Sequence, residues 1–438
     1  MSAIGEHNLF LHFHISHAFC KVKGLVFMRL RVPPALKNRR FFMLWAGMLI
    51  STAGSQMQVA AIHWHIRTLS GFPDPLALGG IGLARILPII LFSLLGGAVA
   101  DTYNRRLILF ITQTVMTGTA VILGILTFIG TIQIWHIYAI TAIQAAAIAF
   151  DGPARQAAIP NLVSKEDLPN AFSLNSIAFN TGAIIGPALS GVVIAVWGQG
   201  FTYIINAISF LAVIFALIAI GDIPQDIKQD SGISWRSMLD GIHFIFEKKI
   251  IFSTMIMDFF ATFFASANTM MPIVARDILH IGEIGYGFLI SAQAIGSVAA
   301  GIVVSQLAII RKQGPVFLIS VVFFGLATIA FGLSNTFYLA FLSLIFVGAA
   351  DTVSTIIRNT IRQLQTPDHI RGRMTSINQI FFQGGPQLGE VESGVVAAIF
   401  GVPLTIVTGG IGTIIAAVFI MLKWPELRNY EDTSSDVV

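Results

Sequence analysis

Apolar runs of about 20 residues recur along almost the whole chain, separated by short stretches that carry glycine, proline or charge. A helix rises about 1.5 Å per residue, so each run can cross about 30 Å of hydrocarbon. Only 11% of the 438 residues are charged, against roughly 25% in soluble domains. The sequence therefore predicts an all-α, multi-pass membrane protein and excludes a soluble enzyme and a disordered chain.

The breaks between runs delimit twelve candidate spans, near 41–66, 77–100, 106–129, 134–157, 171–197, 201–220, 250–274, 284–308, 315–333, 337–360, 374–400 and 402–422. Cytoplasmic loops are enriched in Lys and Arg, which tests this number. With both termini inside, 23 of the 26 basic residues fall on the inner side, Arg67 and Arg276 fall outside, and Arg85 lies within a span. The sequence predicts twelve transmembrane helices with the N- and C-termini inside.

The long connection between spans six and seven divides the chain into two halves. We expect a cytoplasmic N-terminal tail over residues 1–40 and a cytoplasmic C-terminal tail over 423–438. Between them we expect one six-helix bundle over 41–220, a cytoplasmic central loop over 221–249 and a second six-helix bundle over 250–422. Trp235, Met238, Leu239, Ile242 and Phe246 recur at helical spacing in the central loop, which predicts an amphipathic helix. That helix lies either on the inner membrane surface or against the inner ends of the bundle.

The first 27 residues contain four histidines and Cys20, the single cysteine of the chain, so no intramolecular disulfide can form. The histidine spacing matches no compact zinc pattern. The basic residues follow the apolar part, whereas in a signal peptide they precede it. Composition therefore marks residues 1–27 as a dispensable extension, with Met28 as an alternative start.

An internal repeat relates the two halves. A shift of 203 residues, without a gap, superposes Ser173–Gly198 on Ser376–Gly401, and 12 of the 26 positions are then identical. Arg155 meets Arg358 at the same offset. Two homologous six-helix halves with a site at their interface near the midplane are the architecture of secondary transporters.

A charged loop joins spans two and three, with the sequence Gly97-Ala-Val-Ala-Asp101-Thr-Tyr-Asn-Arg105-Arg106. It resembles the loop signature of the major facilitator superfamily, with Thr102 where a basic residue is usual and Asn104 where glycine is usual. Asparagine can adopt the left-handed turn that glycine serves at such a position.

The resemblance implies that this loop belongs to an inner gate, which joins the two halves when the transporter opens outward. Arginines can pair there with acids of the inner face, and we expect Asp151, four residues before Arg155, to be that acid. Positive-inside charge alone would explain the arginines but not Asp101. The inner-gate candidates are Gly97, Asp101, Arg105, Arg106, Asp151, Arg155, Arg358, Arg362, Arg371 and Arg373.

Span five contains a second motif, Gly182-x-x-x-Gly186-Pro187-x-x-Ser190-Gly191. It is similar to the antiporter signature of the superfamily's exporters, with Ser190 for one glycine. Small residues four apart allow close helix approach, and Pro187 bends the span. Packing alone would account for the first two glycines, but the whole string favours an exporter. Span eleven repeats the string with Glu390 in place of the proline.

The resemblance covers residues 29–425. Within the superfamily it is similar to the branch of bacterial drug and siderophore exporters, which includes enterobactin and macrolide exporters. The residues that carry the branch resemblance are Ala84-Arg85-x-x-Pro88, Asp258 and Leu388-Gly389-Glu390-x-x-Ser393-Gly394.

Four ionisable residues fall inside spans, where charge is expensive and usually faces a wet cavity: Arg85, Asp258, Glu390 and Glu392. Glu390 and Glu392 are two apart on a helix and cannot share a face, so we prefer Glu390 for the cavity. Our hypothesis is that Asp258 or Glu390 carries the coupling proton, since desolvation favours the neutral form of an acid. Arg85 would hold an acidic substrate or act as counter-ion. The alternative is a static arginine–carboxylate pair that holds helices together.

The sequence therefore predicts a proton-coupled antiporter of the bacterial inner membrane that exports small amphipathic compounds, drugs or a siderophore. A metabolite symporter, a lysophospholipid flippase and, from a different class, a non-transporting membrane sensor are the alternatives. No phosphate-binding loop or catalytic metal cluster appears in the sequence, so we expect neither an ATP-driven pump nor an enzyme.

We expect no metal or other cofactor, because the proton gradient would supply the energy. The expected partners are a small-molecule substrate, protons and the lipid bilayer, with the chain a monomer. The basic residues occur in short bursts between spans, which argues against a nucleic-acid partner.

Overall fold

The computed structural model describes residues 33–69, 74–223, 225, 243–306 and 310–431. All regular secondary structure in these ranges is helical. The long helices are α1 (Arg39–Thr68), α2 (Asp74–Thr102), α3 (Arg105–Ile129), α4 (Ile134–Ala158), α5 (Leu168–Trp197), α6 (Gln199–Ile220), α7 (Lys249–Phe264), α8 (Gly282–Gln306), α9 (Gln313–Gly332), α10 (Phe337–Gln365), α11 (Asp368–Phe400) and α12 (Val402–Lys423). We refer to α1–α6 as the first half and to α7–α12 as the second half.

Within the described residues, nine of these helices are long and apolar enough to cross a membrane, namely all except α1, α7 and α11. α7 is only 16 residues long. α1 and α11 have 30 and 33 residues but carry more polar side chains. Length and composition thus support nine of the twelve expected spans and make the chain an integral, multi-pass membrane protein.

The seventh expected span, 250–274, is not one continuous helix. α7 ends at Phe264, and the chain goes on as a 3-10 turn at Ser266–Met270, a single helical turn at Met271–Ile273 and a π turn at Val274–Ile278. α7 already ends eight residues before Pro272, and Pro272 stands in the first turn of Met271–Ile273, a position where a helix does not need the N–H that proline lacks.

The helix contacts repeat between the two halves. α1 packs on α5 and α6, and α7 packs on α11 and α12. α4 packs on α2 and α3, and α10 packs on α8 and α9, while α3 contacts α6 and α9 contacts α12. Between the halves, α2 packs on α11 and α5 packs on α8. The duplication in the sequence therefore reappears as the same set of neighbours in each half.

The turns that end the repeated segments also match. Gly198 joins α5 to α6 with φ of 87°, and Gly401 joins α11 to α12 with φ of 85°. Glycine reaches this region of φ at no steric cost, whereas other residues are strained there. The next helix begins at the following residue in both cases.

The two ends of the helical layer differ. At the end where α1 stops and α2 begins, one hydrophobic cluster includes Trp64 and Leu78 of the first half and Met271 and Tyr286 of the second. At the opposite end, each of the two larger clusters of the described residues belongs to a single half. One contains Phe41 and Leu217 of the first half, and the other contains Phe317 and Ile420 of the second half. We refer to these as the closed end and the split end.

Two expected features lie outside the described residues: the extension 1–27, and residues 226–242 of the amphipathic helix. Residues 243–247 are helical, and Ile245 is buried with Ile251 and Met374 at the split end.

Candidate functional site

Glycines bring the two halves into backbone contact. A Cβ built on Gly79 of α2 would come 2.9 Å from the Cα of Gly394 on α11, too close for any real side chain. A Cβ built on Gly191 of α5 would likewise lie 3.2 Å from the Cα of Gly287 on α8. The two interfaces therefore depend on repeat-equivalent glycines, Gly191 and Gly394.

Arg85 and Glu390 form an ion pair across the α2–α11 interface, with 3.7 Å between Nη1 of Arg85 and Oε1 of Glu390. Both side chains are largely buried, at 16% and 13% exposed. Arg85 lies 11 residues into α2, which is about 16 Å from the closed end. The structure thus joins two of the expected intramembrane charges, one from each half, deep in the helical layer.

Arg67, at the end of α1, makes a second ionic link between the halves. Its Nε and Nη2 donate to the Asp277 carboxylate of the second half at distances of 2.9–3.1 Å. Its Nη1 lies 3.1 Å from Asp74 at the start of α2. Nearby, the Tyr286 hydroxyl donates to the carbonyl oxygen of Ala60 at 2.9 Å.

Sequence reasoning missed the link between Arg67 and Asp277. The sequence did contain a sign of such a link, because only two basic residues, one of them Arg67, were expected on the outer side. Asp74, a possible partner, follows Arg67 by seven residues. The position of Asp277, however, depends on the broken geometry after α7.

Asp258 on α7 pairs with Arg358 on α10 at 2.9 Å, and both side chains are almost fully buried. Arg362, one turn further on, donates to Asn378 and Asn359. The hypothesised coupling acid and two inner-gate candidates are therefore brought together, in a cluster that belongs wholly to the second half.

Glu392 faces away from the Arg85–Glu390 pair. It lines a crevice with Phe264 of α7 and Leu404 of α12, while Glu390 approaches Gly82 of α2. The two carboxylates thus occupy different faces of α11, as their spacing predicted.

The arginines of the loop between α2 and α3 bind within the first half. Arg105 donates to the carbonyl oxygens of Ala100 and Ala157 at 3.2 and 2.9 Å. Arg106 donates to that of Leu217 at 2.9 Å and lies 3.4 Å from Asp222. Neither arginine contacts Asp151 in this conformation.

Asp151 instead pairs with Arg155 on its own helix and accepts hydrogen bonds from Thr112 and Gln113 of α3 at 3.0 and 2.9 Å. The expectation for Asn104 was also wrong. Its φ is −62°, and its side chain caps α3 by accepting from the Leu107 N–H. Asparagine at an N-cap favours this extended backbone, so no left-handed turn is needed.

Gly97 has open space around its Cβ position. The side chains of Asp101, Arg371 and Arg373 lie outside the described part of the chain.

The exporter-like motif of α5 packs on α1. Cβ atoms at Gly182 and Gly186 would clash with Ala53 of α1, at its amide nitrogen and its carbonyl oxygen. Ser190 donates to the carbonyl oxygen of Met57 at 2.9 Å. Pro187 lies inside α5. In the second half, Gly385 and Gly389 approach α7 in the same way.

A polar network in the first half also escaped sequence reasoning. The Gln58 amide donates to Gln144 at 2.7 Å and accepts from Asn206 at 2.7 Å, joining α1, α4 and α6. The presence of three amide side chains within apolar spans could have indicated such a network. Whether the three side chains meet, however, depends on which face of its helix each one occupies. No group of three His, Cys, Asp or Glu in the described ranges could hold a metal ion.

The family model described as "transmembrane secretion effector" matches residues 33–437. The staphyloferrin A transporter of Staphylococcus aureus is 27% identical over 85% of this chain and 91% of its own length. The enterobactin exporter of Escherichia coli K12 is 23% identical over 78% of this chain and 82% of its own length.

Solved transporter structures share the fold. A nucleoside transporter has a TM-score of 0.71 at 15% identity and covers 88% of this chain and 99% of its own. A bacterial homologue of the human lysosomal transporter Spinster, in an inward-facing and unoccupied conformation, has a TM-score of 0.71 at 15% identity, covering 92% of this chain and 99% of its own.

Proposed function

The chain belongs to the transmembrane secretion effector family of the major facilitator superfamily, and on that premise we propose that it is a proton-coupled antiporter that exports small amphipathic compounds by alternating access. It is a membrane transporter and not an enzyme. The observation that carries the proposal is the buried Arg85–Glu390 ion pair between the two halves.

The proposed topology has twelve spans in two six-helix bundles, with both termini and the split end in the cytoplasm. The distribution of 23 of the 26 basic residues supports this orientation. The repeated helix contacts support the two bundles. The relatives are bacterial, so we place the monomeric chain in the cytoplasmic membrane.

The difference between the closed end and the split end supports alternating access. The shared cluster and the Arg67–Asp277 link hold the halves together at the closed end, and the Arg85–Glu390 pair joins them deeper in the helical layer, so this conformation would open toward the cytoplasm. Opening outward requires those contacts to break. The loop with Arg105 and Arg106 would then meet the second half as the inner gate.

The chemistry of the Arg85–Glu390 pair supports proton coupling. A charged Glu390 attracts Arg85 and favours contact between α2 and α11, whereas protonation removes that attraction. The two protonation states therefore favour different arrangements of the halves, and a ligand that distinguishes two conformations shifts their populations. Asp258 is a weaker candidate, because its pair with Arg358 lies inside one half.

The substrate class follows from the relatives, whose names refer to staphyloferrin A and enterobactin. We propose a siderophore or a drug of similar amphipathic character. Arg85 is a suitable group for an acidic substituent, because a guanidinium binds carboxylates in a bidentate manner.

The test is accumulation of a panel of carboxylate and catecholate siderophores and amphipathic drugs in a strain that lacks other efflux pumps, with and without a protonophore. We expect this chain to lower accumulation of at least one compound, and the protonophore to abolish that effect. Glu390→Gln should remove the dependence on the proton gradient, while Glu166→Gln, in an exposed loop, should not. Export that survives the protonophore, or an unaltered Glu390→Gln variant, would overturn the proposal.

A further inference from the structure

A crevice of about 320 Å³ opens on the exposed surface of the second half, between α7, α11 and α12. Its walls are Phe264, Glu392, Val396, Phe400, Leu404 and Thr408. Phe400 and Leu404 are 62% and 48% exposed. Large apolar side chains exposed on a membrane-spanning surface face hydrocarbon, so the mouth of the crevice opens toward lipid.

Glu392 is the charged group of this crevice. It lies eight residues before the end of α11, which is about 12 Å from the closed end. Its neighbour Ser393 donates a long hydrogen bond of 3.4 Å to Oε2. Among the described residues, no Lys, Arg or His forms an ion pair with it.

A carboxylate in an apolar, lipid-facing recess is costly unless a cation neutralises it. The aromatic and aliphatic walls suit a hydrophobic body attached to that cation. An anionic amphiphile would be repelled by Glu392, and an uncharged one would gain nothing from it. A zwitterionic lipid carries an anionic phosphate next to its ammonium group, and Glu392 repels that phosphate.

We propose that the crevice binds an amphipathic amine from the surrounding bilayer, with its ammonium group against Glu392 and its apolar part along Phe264, Phe400 and Leu404. This site is separate from the Arg85–Glu390 pair, which faces the first half. Binding there does not depend on whether the chain transports amines.

The test uses the full chain in phosphatidylcholine vesicles, with Leu404→Trp as a fluorescent reporter at the crevice; the signal of the six native tryptophans, measured in the parent protein, is subtracted. The probes are dibrominated octadecylamine and the matching dibrominated octadecanol, because bromine quenches tryptophan on contact. We expect half-maximal quenching of the reporter at about a fivefold lower membrane concentration of the amine, the size of a modest ion pair. Equal quenching by the two probes would overturn the proposal, whatever the behaviour of any Glu392 variant.

Further variants test whether Glu392 causes the preference for the amine over the alcohol. Glu392→Gln should bring the amine to the level of the alcohol, whereas Glu283→Gln at the start of α8 should leave the preference intact. Ile415→Trp, elsewhere on the exposed face of α12, should report equal quenching by both probes. Persistent preference in Glu392→Gln, or preference at Ile415→Trp, contradicts the site. Loss of the preference in vesicles rich in phosphatidylethanolamine would show that a lipid head group is the occupant and would overturn the proposed ligand.

Discussion

Asp258 and Arg358 face each other at 2.9 Å inside the second half, with 0% and 3% of their side chains exposed. Arg358 is the repeat equivalent of Arg155, which pairs with Asp151 one turn earlier on the same helix. Ser354 stands at the equivalent of Asp151 and accepts only a hydrogen bond of 3.2 Å from Arg358. The acid nearest to Arg358 is therefore on the neighbouring helix α7, where it ties α7 to α10, while Asp351 of α10 lies further away, at 3.8 Å.

Asp258→Asn should destabilise the protein strongly, because it leaves a buried arginine charge without its main partner. The expected loss is about 3–5 kcal/mol, typical of breaking one side of a buried pair. Thermal unfolding in detergent should report it as a lower Tm. Removing both charges in Asp258→Asn with Arg358→Gln should recover part of the loss, and Glu166→Gln is the neutral control. A Tm unchanged in Asp258→Asn would contradict the structural role of the pair.

Arg67→Gln should shift the conformational equilibrium toward opening of the closed end, because it removes the link to Asp277. An exposed pair of this kind is worth up to about 1 kcal/mol, which is about a fivefold change in population. One spin label is placed at Thr131→Cys in the loop between α3 and α4, and the other at Tyr338→Cys in the first turn of α10, in a Cys20→Ser background. Arg67→Gln should increase the population with the longer distance between the two labels.

Asp74→Asn is the matched control for that experiment, since Asp74 contacts Arg67 from within the first half. It should leave the distance distribution close to that of the parent protein. An unchanged distribution in Arg67→Gln would mean that the hydrophobic cluster alone holds the closed end.

Gly394→Ala should also loosen the closed end, by a steric mechanism. The added Cβ would lie 2.8 Å from the Cα of Gly79 and from the carbonyl oxygen of Pro75, so the two backbones must separate. A cysteine at Ala77, which is 6% exposed in the shared cluster, should then react faster with a membrane-impermeant maleimide in the Cys20→Ser background. Gly118→Ala, where the Cβ meets open space, should leave the rate unchanged; equal rates in the two variants would refute the close-approach argument.

Gln58→Leu should destabilise the first half by about 1–3 kcal/mol, because it removes the hydrogen bond to Gln144 and takes away the acceptor of the buried Asn206 side-chain N–H. Urea or thermal unfolding in detergent measures the loss. Gln156→Leu, at an exposed position of α4, provides a comparison for the loss of a glutamine as such. Similar stability of the two variants would show that water replaces the missing hydrogen bonds.

Much of the fold was predictable because its determinants are local or repeated. The apolar runs predicted helix positions to within a few residues for most of the chain, for example α4 and α12. The prediction of one span at 250–274 was wrong, because a continuous apolar composition does not reveal that the helix ends at Phe264 and that a new turn begins at Met271. The 203-residue repeat located Gly191 and Gly394, but the sequence did not indicate that both contact the opposite half.

The charged residues show where prediction stopped. Arg85, Asp258, Glu390 and Glu392 were identified because ionisable groups are rare in apolar spans. Their pairing could not be read from spacing, since a helix rotated by a third of a turn presents different residues to its neighbour. Sequence reasoning left a coupling acid and a static pair as alternatives for both acids, whereas Glu390 faces the other half and Asp258 stays within its own.

The sequence by itself determined that this chain is helical, crosses the membrane many times, consists of two related halves and belongs with transporters. Partition into hydrocarbon and backbone hydrogen bonding act within each segment, so they do not depend on which helices become neighbours. Only the tertiary structure decided that Arg85 meets Glu390, that Arg67 meets Asp277, and that Glu392 lines a crevice with Phe264 and Leu404. Ion pairs require contact within about 4 Å, and such contact exists only after helices from distant parts of the chain have packed together.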